Sequence, residues 1–184
     1  MSRIIENPEQ LILNGAKEIL YNEGLEKFSM RTLSKKCNIA LGTIYNYYST
    51  KEDLIVELMT DYWKNNLYVL KNIINSDDVL YTKLNDIFNK LSIFVKTFKD
   101  IWLKPELYKN PNCVKDSLIQ ENIYMEKLVK IIETILLKEA ENNKITLKLN
   151  SYETAKFVLM NYITMIQMPM FKYSSFEMFL KELL

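Results

Sequence analysis

Apolar residues recur at three- and four-residue spacing along this chain, and the recurrence predicts helices. Ile12, Ala16, Ile19 and Leu20 form one stripe, behind an Asn7-Pro8 start and ahead of a Gly24 stop, which predicts a first helix to about Glu23. Leu33 and Cys37 share a face of a short helix begun by Ser29, with Phe28 and Ile39 in the same core. Asn38 then suits a left-handed turn. A second short helix follows over 40–47. Ile44 and the adjoining Tyr48 turn inward, leaving Leu41, Thr43, Tyr45, Asn46 and Tyr47 for the outer face or its flanks. Ser49/Glu52 or Thr50/Asp53 has capping-box spacing and opens a long helix to about Asn75, with Leu54, Leu58, Tyr62 and Leu70 inward.

Ser76-Asp77-Asp78 marks the next start, and a helix from Val79 to about Ile101 carries Leu84, Ile87, Leu91, Phe94, Val95 and Phe98. Pro105 breaks the stretch from Trp102 to Asn110. Asn110-Pro111 starts a long helix through Val114, Leu118, Met125, Leu128, Ile132 and Ile135, ending near Asn142-Asn143. Residues 145–149 alternate like a strand, yet no partner strand exists in the sequence, so an extended connector is expected. Asn150 and Glu153 cap a helix that runs to Met168, before Pro169, and Ser174-Ser175 begins a last short one. The fold class is all-α: an amino-terminal three-helix unit over 1–50, joined by a long helix to a helical ligand and dimerisation domain over 51–184.

The helix over 152–168 is apolar around most of its circumference, with Lys156, Asn161, Thr164 and Gln167 on one side. So wide an arc has two surfaces to cover. The economical partner is a second copy, in a two-fold four-helix bundle. Leu159, Tyr162, Ile163 and Ile166, with Phe176, Phe179, Leu180 and Leu183 of the last helix, are the expected interface; a helix buried centrally in a monomer is the alternative.

Charge changes the picture locally. The whole chain carries +1, but from Lys27 to Lys51 there are Lys27, Arg31, Lys35, Lys36 and Lys51 and no carboxylate. Thr43, Tyr45, Asn46, Tyr47 and Tyr48 add hydrogen-bond donors, and Gly42 lets a backbone come close to a sugar–phosphate strand. Helix, turn, helix and local positive charge point to double-stranded DNA; the bland alternative is a solvated face with packed tyrosines. The expected contacts are Ser29, Arg31, Leu41, Gly42, Thr43, Tyr45, Asn46, Tyr47 and Lys51, with Arg3 near the first helix as a minor one.

The run from Ser29 to Leu54, with Gly42-Thr43-Ile44-Tyr45-x-Tyr47-Tyr48-x-x-Lys51-Glu52-x-Leu54 as its specific part, resembles the DNA-binding domain of TetR-family transcriptional regulators. The resemblance covers about the first third of the chain; beyond Leu58 it is one of helical character and length. It implies a homodimeric repressor that leaves a palindromic operator when a small molecule enters the carboxyl-terminal domain. By position, Thr43 would meet bases or phosphate, Tyr45, Tyr47 and Lys51 phosphates, and Arg31 the groove edge. Two positions depart from the pattern. Ala40 stands where a capping Ser is common, a difference of about 1 kcal/mol, and Asn38 stands where Gly is common.

With no histidine, Ser-His-Asp catalysis and histidine metal ligation are excluded. Cys37 and Cys113 lack metal-site spacing and suit a reducing compartment. No glycine-rich phosphate loop, secretion signal or long apolar span is present, so a cytoplasmic protein that is not an enzyme and has no cofactor, metal or membrane partner is expected. Glu133 and Glu139 read as solvated, and no buried charge names a ligand. Trp63, Tyr68, Phe94, Phe98, Trp102, Tyr124, Phe157 and Met160 suit a mostly apolar cavity, hence an apolar or amphipathic effector; each alone reads more readily as core. A constitutive DNA-binding or nucleoid factor and a small-molecule carrier with a vestigial reader are the other readings.

Overall fold

The computed structural model describes residues 6–102 and 111–184, with backbone alone for 111–113. The regular structure among them is helical: α1 (Pro8–Glu23), a 3-10 turn (Leu25–Lys27), α2 (Met30–Cys37), α3 (Leu41–Tyr47), α4 (Lys51–Ile74), α5 (Leu80–Trp102), α6 (Pro111–Glu141), α7 (Ser151–Gln167) and α8 (Tyr173–Leu183). The 3-10 turn is the one element here that hydrophobic spacing did not indicate, since three residues carry no period. The chain divides into two compact units. One comprises the residues through Tyr62 with Phe98–Ile119, the other Trp63–Thr97 with Gln120–Leu184.

In the first unit local chemistry sets each helix end. Asn7 caps α1 from a left-handed conformation, accepting from the Gln10 N–H at 3.3 Å, and Gly24 leaves the helix at φ 84°. Ser29 Oγ caps α2 by accepting from the Thr32 N–H at 3.0 Å. Asn38, at φ 52° and ψ 43°, makes the turn, which Ser34 Oγ closes by donating to the Ile39 carbonyl at 2.7 Å. Of the two possible capping boxes before α4, the chain uses Thr50/Asp53, with reciprocal bonds of 2.9 and 3.0 Å. Ile12, Ala16, Ile19, Leu33 and Ile44 are fully buried.

Gly15 has a role that spacing did not reveal. A Cβ on it would run into Cys37 Sγ and stand 3.3 Å from Leu33 Cδ1. The α1 backbone is therefore pressed against α2 where glycine alone fits.

The second unit is built on Leu84, Ile87, Leu91, Leu128, Ile132, Leu136 and Val158, all at most 1% exposed. The Tyr162 hydroxyl donates to the Leu84 carbonyl at 2.9 Å, and burial holds its ionisation far above the usual phenol range. Residues 145–149 form no strand. This connector is tied to the end of α8, the Thr146 N–H donating to the Leu184 carbonyl at 2.8 Å and Lys148 Nζ to the Glu182 carbonyl at 2.7 Å.

Two carboxylates sit deeper than the sequence suggested, and one lysine is also buried. Glu139 is 4% exposed and pairs with Lys144 at 3.2 Å across the turn that ends α6, and Lys83 is 3% exposed. Glu133 is partly buried, accepting from Lys130 at 2.7 Å and from the Ser151 hydroxyl at 2.9 Å. Partners from beyond a helix end draw such carboxylates inward, and periodicity within one helix cannot reveal them. Among the described residues no helix is long and apolar enough to cross a membrane.

The expected dimer residues divide. Leu159, Tyr162, Phe176 and Leu180 are at most 3% exposed within one protomer and belong to its own core. Ile163, Ile166 and Leu183 are half-buried. Phe179 is 74% exposed, as are Met178 beside it and Phe157 and Met160 on α7 to lesser degrees. On α7 the apolar arc is split: Val158, Leu159 and Tyr162 are buried within the protomer, whereas Phe157 and Met160 are exposed.

Candidate nucleic-acid interface and ligand residues

α3 is short and anchored from one side. Ile44 and Tyr48 are buried, whereas Tyr45, Asn46 and Tyr47 are exposed and Leu41 and Thr43 half-buried. Ala40 gives the helix no side-chain cap. Gly42 is exposed, and a Cβ built there meets nothing within 4 Å. The outer surface thus presents two phenolic hydroxyls, an amide and an open backbone stretch. Such groups reach phosphates and base edges; phosphate contacts position a reader and base contacts give it sequence preference.

The cations of this stretch do different things. Arg31 and Lys35 are exposed on α2. Lys36 pairs with Glu18 of α1 at 2.9 Å, which raises its affinity for its proton. Lys51 Nζ donates to the Phe28 carbonyl at 2.9 Å and lies 5.4 Å from the centre of the Phe28 ring. Ser29 Oγ is engaged as a cap and in a 2.7 Å hydrogen bond with Thr32 Oγ1. Ser29 and Lys51 are thus engaged within the protomer, while Arg31, Tyr45, Asn46 and Tyr47 stand exposed. Burial pushes the Cys37 thiol up, which disfavours a reactive thiolate. Arg3 lies outside the described residues, as do residues 103–110 and the Cys113 side chain.

The eight candidate ligand residues are distributed over both units. In the second unit, Tyr124 stacks on Trp63 at 5.9 Å and on Phe94 at 5.2 Å, and its hydroxyl donates to Asn66 Oδ1 at 2.8 Å. All three rings are buried against one another. In the first unit, Phe98 lies between Tyr62 at 6.5 Å and Trp102 at 6.4 Å. Tyr68, Phe157 and Met160 are exposed. Tyr68 edges a groove of about 540 Å³ between α4 and α6, floored by Leu67 and Ile131 and bordered by lysines. Those lysines were missed because each helix alone shows an ordinary charged face. Among the described residues no cluster of three Asp, Glu or Cys side chains could hold a metal ion.

Residues 12–58 match the model of the bacterial regulatory proteins of the tetR family. The chain is similar to the HTH-type transcriptional regulator YvdT of Bacillus subtilis (strain 168), 26% identical over 148 residues, spanning 80% of this chain and 75% of that protein. Its fold is similar to that of a transcriptional regulator from Cytophaga hutchinsonii, with TM-score 0.74, 19% identity and coverage of 94% of this chain and 90% of the other. A similar fold occurs in FadR of Bacillus subtilis, solved in complex with stearoyl-CoA, with TM-score 0.59, 16% identity and coverage of 86% and 84%.

Proposed function

We propose that this chain, which carries the helix-turn-helix domain of the TetR family of transcriptional regulators, is a homodimeric repressor, displaced from a palindromic operator by a small amphipathic effector. The observation that carries the DNA-binding part is the two-sidedness of α3. Ile44 and Tyr48 hold one side in the core, and Tyr45, Asn46 and Tyr47 stand open on the other. No carboxylate occurs from Lys27 to Lys51, so nothing in that run repels a phosphate strand. In this reading Arg31, Lys35, Tyr45 and Tyr47 meet phosphates, and Thr43 and Asn46 lie nearest base edges.

Dimerisation is supported by the apolar side chains that α7 and α8 leave exposed, Phe157, Met160, Met178 and Phe179. A two-fold pair of readers suits half-sites about one helical turn apart, roughly 34 Å. An effector is supported by the groove between α4 and α6 and by the stearoyl-CoA bound to a similarly folded regulator. The mutual stacking of Trp63, Phe94 and Tyr124 favours a second reading, constitutive DNA binding with a filled interior.

The test is a titration of labelled DNA from upstream of the protein's own gene, read by fluorescence anisotropy at several salt concentrations. Affinity is expected to fall linearly on a logarithmic salt scale, and Arg31→Ala with Tyr47→Ala to weaken binding and flatten the slope. Equal affinity for scrambled DNA would sink the operator reading.

A further inference from the structure

Within the second unit, α4 and α6 bring matching patterns together. Lys64, Leu67, Tyr68 and Lys71 recur at three- and four-residue spacing on one helix, and Lys127, Lys130 and Ile131 do so on the other. They enclose a groove of about 540 Å³, inside the range of roughly 300–1,000 Å³ usual for small-molecule sites. Its floor is apolar, Leu67 and Ile131 being 8% and 5% exposed. Its rim is cationic: Lys64, Lys71, Lys127 and Lys130 line it, all exposed, and no Asp or Glu does. Lys130 also donates to Glu133 at 2.7 Å and stands 4.9 Å from the centre of the Tyr152 ring, so its charge is partly offset. A neighbouring hollow of about 400 Å³ shares Lys127 and Lys130 and is lined by Glu126 and Ile123. That carboxylate belongs to the hollow; the groove itself is lined by none.

Like charges gathered around an apolar trough repel one another, and an anion relieves that repulsion. A bare anion would leave the Leu67–Ile131 floor wet, and a bare hydrocarbon would bring no counter-charge to Lys71 and Lys127 on the rim. We propose that this groove binds a soluble single-chain amphiphile with an anionic head, its chain lying on Leu67 and Ile131 and its head held by Lys71 and Lys127. The binding site stands independently of any effect on DNA; its use as the effector site rests on the repressor reading above.

Calorimetric titration of the full chain with dodecyl phosphate, below its micelle concentration, tests the site. Dodecyl phosphate should bind saturably at one per protomer, with dodecanol and inorganic phosphate each weaker by about tenfold or more. The variant K71Q/K127Q should fold as the parent does and lose about tenfold in dodecyl phosphate affinity, with unchanged binding to DNA. Equal binding of dodecanol, equal binding of inorganic phosphate, or an unaffected K71Q/K127Q variant would each overturn the assignment. So would retention on phosphatidylglycerol vesicles without binding of the monomeric amphiphile, which would make the patch a membrane contact. Loss of DNA affinity in K71Q/K127Q would give the lysines to nucleic acid instead. Binding at the groove without displacement of DNA supports the site and removes the effector reading alone.

Discussion

Lys51 Nζ donates to the backbone carbonyl of Phe28 at 2.9 Å, so the first turn of α4 is tied to the residue that precedes the cap of α2. The ammonium is half-buried over the Phe28 ring, where a cation gains from the ring face as well as from the carbonyl. Lys51→Met should therefore lower the stability of the amino-terminal unit by about 1 kcal/mol in urea denaturation, after discounting for solvent. Operator affinity should fall while the salt slope stays the same. A slope smaller by about one unit would place a phosphate on Lys51 instead.

Gly15 faces Cys37 Sγ with no room for a methyl group. Gly15→Ala is expected to destabilise by about 1–3 kcal/mol through overpacking, although alanine is the better helix former. Cys37→Ala removes the obstructing sulfur, so the double variant should recover most of the loss. A double-mutant cycle by thermal melting measures this coupling, and additive effects would refute the contact.

The Tyr48 hydroxyl is buried and has no hydrogen-bond partner among the described residues, and burial pushes its ionisation up to about 12. Removing it in Tyr48→Phe should raise stability at neutral pH by about 1 kcal/mol. The pH dependence has a definite sign. Between about pH 10 and 12 the unfolded phenol ionises while the folded one does not, so stability declines as pH rises through that window. Tyr21 and Tyr173 are held up in the same way, and Tyr48→Phe should remove its share of the decline. A destabilised Tyr48→Phe would show that the hydroxyl is bonded in solution.

Met160 and Phe179 are 58% and 74% exposed. Met160→Asp combined with Phe179→Glu should leave the protomer folded and convert a dimer to monomers in sedimentation velocity. Affinity for a palindrome should fall toward that for a half-site. An unchanged sedimentation coefficient would remove these side chains from the interface.

Helix ends were readable because the groups that make them are neighbours in sequence. Asn7-Pro8, Ser29, Asn38 and Asn150 act within three to five residues, and the structure places each where its chemistry asks. The two boxes before α4 were degenerate in spacing, and only the geometry selects Thr50/Asp53. What was hidden depends on other helices. Leu159 and Tyr162 face inward because α8 and α5 lie there, as the Tyr162 contacts with Phe176 and the Leu84 carbonyl record. Glu139 is buried through Lys144, beyond the end of its helix. The lysines of α4 and α6 gain meaning from meeting across a groove.

Gly42 offers a ruler one methyl long. The space where its Cβ would stand is empty, and alanine would favour the helix by up to about 1 kcal/mol. The protomer therefore has no internal objection to Gly42→Ala. Any affinity lost in that variant would gauge the clearance between α3 and whatever surface it touches, by adding an atom group instead of taking a contact away.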